Sequence, residues 1–220
     1  SLDAFLEEKP KTKSLERIIK KIDNHTKQKI DFESIATHKL SETMQILSEI
    51  TNIKWLILSW NGRSYNGIFF NNPIGWIISH INSNFALFKC NGITEFNKLL
   101  LSIRYNSQDI SQLILYTNAI CQYFNAEFTL LHVIDKDTKK EKIDEIKNNT
   151  KKKLAGTKGK LLLKLSEDPI NTVSTLTSEY DLLILGTPKK DTWVTMLFGT
   201  GKDKFAINAA CSVLRLTIKD

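Results

Sequence analysis

The residues best suited to chemistry lie in a glycine-bearing stretch toward the C-terminal end. Gly186 closes the apolar run Asp181-Leu-Leu-Ile-Leu-Gly186, Lys189 follows after two intervening residues, and Gly199-Thr200 stands just ahead of a helix-like segment. Glycine lets backbone N–H groups approach an oxyanion, and a helix N-terminus adds a favourable dipole. Lys189 supplies a cation that can pair with phosphate. Pro188 stiffens the same loop and removes one donor. The chemistry these residue types describe is the holding of a phosphate.

Other chemistries fail on spacing. Gly199-Thr-Gly-Lys202 invites a nucleotide P-loop reading, but that motif needs a glycine five positions before the Gly-Lys pair and Ser or Thr after the lysine. Met196 and Asp203 occupy those positions. His25, His38, His80 and His132 are scattered singly, the last inside an apolar run, which is the pattern of structural histidines. No Ser-His-Asp order, nucleophile elbow or carboxylate pair stands out, so the sequence points to no catalytic residue, no metal ligand set and no enzyme. Cys90, Cys121 and Cys211 are far apart and form no CxxC pair; each reads as a buried reduced thiol, in keeping with a cytosolic setting.

Composition sets the outer bounds. The 220 residues are 41% apolar and 25% charged, the profile of a folded globular protein with room for one large domain or two small ones. No apolar run approaches the ~18–20 residues that span a bilayer. The net charge of +7 is concentrated in lysine-rich stretches at 9–29 and 136–164, both of which also carry acids. Mixed charge of this kind marks a solvated helix face; the alternative is attraction to an anionic membrane leaflet. No aromatic-interleaved basic strand, zinc spacing or helix-turn-helix supports nucleic-acid binding.

The elements that position the loop are written twice. Lys54-Trp-Leu-Ile-Leu-Ser59 is followed by a polar loop, Ile68-Phe-Phe-Asn71, a helix-like stretch through His80 and the apolar run Asn84-Phe-Ala-Leu-Phe-Lys89. Asp181-Leu-Leu-Ile-Leu-Gly186 is followed by a polar loop, Met196-Leu-Phe-Gly199, a helix-like stretch through Asn208 and Ser212-Val-Leu-Arg-Leu-Thr217. The two strands lie 127 positions apart, so that Ile57 matches Ile184. Strand, loop, helix and strand make half of a parallel α/β domain. Upstream of the second copy, 98–103, 127–134 and 159–165 read as strands, 111–124, 138–154 and 169–178 as helices. Asp168 before Pro169 is a helix start. The first copy is preceded only by helices at 14–25 and 41–51 and a strand at 29–36. The expected organisation is an incomplete lobe over 1–90, a linker over 91–97 and a full lobe over 98–220, each a mostly parallel twisted sheet flanked by helices. A sheet lacking its opening strands exposes apolar edges, so the missing strands lie upstream in a longer protein or are supplied by a partner.

This strand order resembles the universal stress protein family in tandem form. Residues 98–103, Ala126-Glu-Phe-Thr-Leu-Leu-His-Val-Ile134 and Tyr180-Asp-Leu-Leu-Ile-Leu-Gly186 look like its first, second and fourth strands. Leu197-Phe-Gly-Thr200 with Ala210-Cys-Ser-Val-Leu214 looks like its closing helix and strand. Nucleotide-binding members carry a G-x2-G-x9-G-(S/T) loop, and the resemblance maps it onto Gly186, Lys189, Gly199 and Thr200, with lysine at the second glycine place. The family's acidic nucleoside contact after the first strand aligns with Arg104, a reversal of charge. In the first copy Ser59, Gly62, Asn71 and Asn72 take the loop positions; asparagine tolerates the left-handed backbone, so the turn can persist without the anion site.

Leu58-Ser-Trp-Asn-Gly-Arg63 resembles a Gly-Trp-x-Gly-(Arg/Lys) version of the loop found in tandem lobes attached to amino-acid/polyamine/cation-type transporters, including amino-acid permeases and cation–chloride cotransporters. The linker after residue 89 is similar to theirs; the plainer reading of Trp60 is a loop anchor. The resemblance implies two functions. One is a non-catalytic cytosolic regulatory and dimerisation module, the tail of a secondary transporter, with a second copy, the transmembrane domain and an anionic membrane surface as partners. The other is a free-standing stress protein binding ATP or another adenine nucleotide through Gly186, Lys189, Gly199, Thr200 and Arg104. The apolar closing strands 85–88 and 213–216 imply pairing through that edge, lobe on lobe or chain on chain.

Overall fold

The computed structural model describes residues 13–14, 16–21, 31, 35, 37–51, 53–60, 80, 82–93, 95–103, 110–186 and 203–219. The chain divides into two compact units, Ser1–Met44 and Gln45–Asp220. In the first, residues 13–14 and 16–21 are helical, and Lys20 reaches Glu16 one turn back at 3.0 Å. The strand expected over 29–36 and the helix expected ahead of Asn84 fall almost wholly outside the described residues.

The second unit carries a seven-stranded sheet. The described elements are α1 (Leu40–Thr51), β1 (Trp55–Ser59), β2 (Asn84–Lys89), β3 (Lys98–Ile103), α2 (Ile110–Phe124), β4 (Glu127–Ile134), α3 (Lys140–Leu154), β5 (Lys160–Leu165), α4 (Pro169–Leu176), β6 (Leu182–Gly186), α5 (Lys204–Asn208) and β7 (Ser212–Thr217). Strand order is β1-β2-β7-β6-β3-β4-β5. Every pairing is parallel except one: β2 and β7 run antiparallel, with Phe85 opposite Thr217 and Leu87 opposite Arg215. The two closing strands expected to pair therefore do so within this chain. This is the mostly parallel, helix-flanked α/β sheet that the sequence implies.

The interior strands show why their runs are continuous. Leu99, Leu100 and Leu101 are all fully buried, because helices cover both faces of a parallel sheet. One face meets α2 through Leu113, Ile114 and Cys121, which join Leu99, Leu101, Phe128 and Ile184 in a single core. Asn125, at φ 52, ends α2 in the left-handed region, and the next amide, Ala126 N–H, closes back on Cys121 O at 2.8 Å. At α4 the Asp168 carboxylate accepts from Asn171 N–H at 3.0 Å with proline in the first turn, as its sequence implies. Cys121 and Cys211 are buried, and burial pushes each thiol up to about 11. Cys90 is a correction: it is exposed, because it follows β2 where the chain leaves the sheet.

Gly159, just before β5, sits where a side chain has no room. A Cβ there would lie 2.3 Å from Phe128 Cζ and 2.8 Å from Leu154 Cδ2. Gly159→Ala should cost about 1–3 kcal/mol by forcing the Phe128 ring aside. Urea unfolding measures the loss, and adding Phe128→Leu should return part of it; a variant as stable as the parent would show that the ring yields freely.

Candidate functional site

Both loops singled out by sequence leave from C-terminal strand ends, where α/β proteins place their sites. β1 and β2 run opposite to the other five strands. The C-terminal end of β1, at Ser59, and that of β6, at Gly186, therefore open at opposite ends of the sheet.

Of the five proposed nucleotide contacts, Gly186 is described; Arg104, Lys189, Gly199 and Thr200 lie outside the described residues, as do Gly62, Asn71 and Asn72. Arg104 follows directly on Ile103, the last residue of β3, whose neighbour in the sheet is β6. Gly186 earns its place by close packing. A Cβ on it would lie 2.6 Å from Leu113 Cδ1 of α2, so the absence of a side chain lets helix and strand approach.

The charged groups at this end were not marked by the sequence reading. Arg215 sits on β7 facing Leu87 and Leu185, and is 2% exposed. Its Nη1 donates to Gly186 O at 2.9 Å, and its Nη2 pairs with the Asp203 carboxylate. Asp203 is 0% exposed, and its Oδ1 accepts from Phe205 and Ala206 N–H at 3.1 and 3.2 Å, capping α5. The signal for this pair was an arginine within an otherwise apolar strand, a place where charge is rare unless paired.

The same region is cross-linked to β2. Lys89 Nζ donates to Ala206 O at 2.7 Å, and burial lowers the lysine's pKa. Asn91 Nδ2 donates to the carbonyls of Ala209, Ala210 and Cys211 at 3.2, 3.3 and 2.9 Å. Trp60, which follows β1, is buried, and its N–H continues the ladder to Phe88 O at 2.9 Å, an anchoring position.

His132 lies inside the sheet with Nε2 3.2 Å from Thr150 Oγ1 of α3. Burial, with Lys153 nearby, holds its pKa down to about 4, so the ring is neutral at pH 7. Among the described residues no group of three His, Cys, Asp or Glu side chains could hold a metal ion.

Solved structures share this fold. A universal stress protein from Archaeoglobus fulgidus DSM 4304 aligns over 100% of this chain and 81% of its own, at 15% identity and a TM-score of 0.67. A functionally unknown protein from Pseudomonas aeruginosa PAO1 aligns over 94% of this chain and 78% of its own, at 12% identity and TM-score 0.57. The cytoplasmic domain of a prokaryotic cation chloride cotransporter aligns over 80% and 69%, at 14% identity and TM-score 0.53. At these identities the likeness establishes a universal-stress-protein-like fold. No family model and no curated protein matches the chain.

Proposed function

We propose that this chain is a non-catalytic regulatory module: the cytosolic portion of a secondary membrane transporter, built from two stress-protein-like lobes over 1–90 and 98–220. The observation that carries this reading is strand β1. Its sequence, Trp-Leu-Ile-Leu-Ser, is that of an interior strand, yet among the described strands it stands at the end of the sheet. Ile57 is 66% exposed, whereas Ile184, its match in the second copy, is 0% exposed beneath α2. An uncharged strand left at an edge suits a module that is covered by something else. The other edge, β5, is guarded by Lys160 and Lys164. The fold shared with a cotransporter's cytoplasmic domain supports the same reading.

On this reading the partners are a transporter's transmembrane domain, a second copy of the chain and the anionic leaflet beside them, and the module acts at the cytosolic face by shifting populations. Among the described residues no helix is long and apolar enough to cross a membrane, so the spans would belong to the parent protein. The native transcript tests this. Apolar spans encoded upstream in the same frame are the expected result; a native start at Ser1 with none upstream overturns it.

The retained glycine at Gly186 and the loop spacing favour a second reading, an ATP-binding stress protein. Titration calorimetry with Mg-ATP, AMP and phosphate separates the two. Silence with all three is expected from the regulatory module. Micromolar binding at one site per chain, abolished by Gly199→Asp, would make nucleotide sensing the function.

A further inference from the structure

We propose that the first lobe is completed by a strand–helix–strand segment lying directly ahead of Ser1 in the same polypeptide. Three isoleucines of the Gln45–Asp220 unit stand exposed: Ile46 and Ile50 of α1 at 55% and 74%, and Ile57 of β1 at 66%. Carried forward by the 127-residue offset of the repeat, they fall on Val173, Thr177 and Ile184. Those three are 1%, 0% and 0% exposed. α1 thus matches α4 and the turn after it, as β1 matches β6.

The copies differ in what covers them. In the second lobe α4 packs on β4, and Ile184 lies in the core that α2 closes with Leu113 and Ile114. β3 stands between β6 and β4. β3, α2 and β4 form one continuous stretch, Lys98–Ile134, and among the described residues nothing answers to it beside β1. One further unit of that kind would cover all three exposed side chains.

The same offset says where that unit comes from. The counterpart of Lys98–Ile134 ends near residue 7 and begins about 30 positions ahead of Ser1, the length that a strand–helix–strand unit needs. A second copy of the chain cannot supply it, because its own β3 is held between β6 and β4 and carries Leu99, Leu100 and Leu101 of its core. The seat suits a helix as well as a strand. The side of α2 that meets Trp55, with Tyr116 ring to ring at 4.9 Å, also carries Ala119 and Tyr123, both exposed. These three recur at helical spacing, so a helix laid over Ile57 would find an apolar wall beside it. The added strand would run parallel beside β1, as β3 does beside β6. Its place rests on the two-lobe reading of the chain and holds with or without a transporter.

The native transcript and an extended chain test it. In the frame directly ahead of Ser1, roughly 30 residues should read as two apolar strands around an amphipathic helix. That pattern with no membrane span before it would sink the transporter and keep the added unit. Spans running straight into Ser1 without the pattern would do the reverse, and a native start at Ser1 overturns both. The extended chain then carries those residues, and it is compared with the 220-residue chain. Cys121 and Cys211 are buried, so Cys90→Ser leaves a background free of exposed thiols among the cysteines. In it, Ile57→Cys should react with a maleimide readily in the 220-residue chain and roughly tenfold or more slowly in the extended one. Ile57→Asp should change the Tm of the 220-residue chain little and lower that of the extended chain. Leu165→Asp, at an exposed position on β5, should cost the same in each. Equal labelling rates in the two chains, or an Ile57→Asp cost that does not grow on extension, would overturn the proposal.

Discussion

Phe85→Ala is expected to lower the stability of the whole Gln45–Asp220 unit by about 3–5 kcal/mol, the usual cost of emptying a fully buried phenylalanine site. Phe85 is 0% exposed, lies opposite Thr217 in the one antiparallel pairing, and has the Lys219 ammonium 5.2 Å from its ring centre. Its removal leaves a cavity at the junction where β1 and β2 attach to the other five strands. If that junction is part of one cooperative structure, the loss will be felt far from it. Amide hydrogen exchange is the measurement. The amides of β3 and β4, which do not touch Phe85 in the sheet order, should exchange faster by roughly a hundredfold or more. Faster exchange confined to β1 and β2, with β3 and β4 as protected as before, would mean that the two parts are stable independently.

The second large effect is on pH. His132 takes a proton near pH 4 in the folded chain, against an ordinary value of 6.5, because burial disfavours the cation and Lys153 repels it. Between those values the unfolded chain binds a proton that the folded chain refuses, so stability falls as pH drops. The full contribution is present above pH 6.5, is lost progressively down to about pH 4, and changes little below that. Each pH unit in the window is worth up to about 1.4 kcal/mol, about 3 kcal/mol over the whole window, of which about 2 kcal/mol falls between pH 7 and 4.5. Chemical denaturation of the parent and of His132→Gln at pH 7, 5.5 and 4.5 isolates the effect, since other groups titrate alike in both. The gap between the two proteins should shrink or reverse toward low pH by that amount. A constant gap would show that the buried ring does not govern the response.

The features legible in sequence are those set by local pattern. Leu99, Leu100 and Leu101 announce a strand buried on both faces, and Asp168-Pro169 announces a helix start, because burial period and capping are written in neighbouring residues. The pairing of the two apolar closing strands was legible as well, since their runs carry so little charge. Features that depend on the chain's return path were not. Asp203 drew notice only as a residue that spoils a P-loop, and Arg215 drew none. Their meeting requires the segment between them to bring the chain back into the sheet beside β6, and spacing encodes no such closure. Cys90 was misread for a related reason: its burial depends on where the chain turns away from the sheet.

The antiparallel join between β2 and β7 has one more consequence. It reverses the sheet midway, so the C-terminal ends of β1 and β6 lie at opposite ends of the sheet. In an assembly of two identical chains joined this way, every substitution would appear at both ends, and the ends would stay alike. Within a single polypeptide each end is free to change by itself. Ser59 closing β1 at one end, against Gly186 closing β6 at the other, is the outcome such freedom permits: one molecule with two different poles.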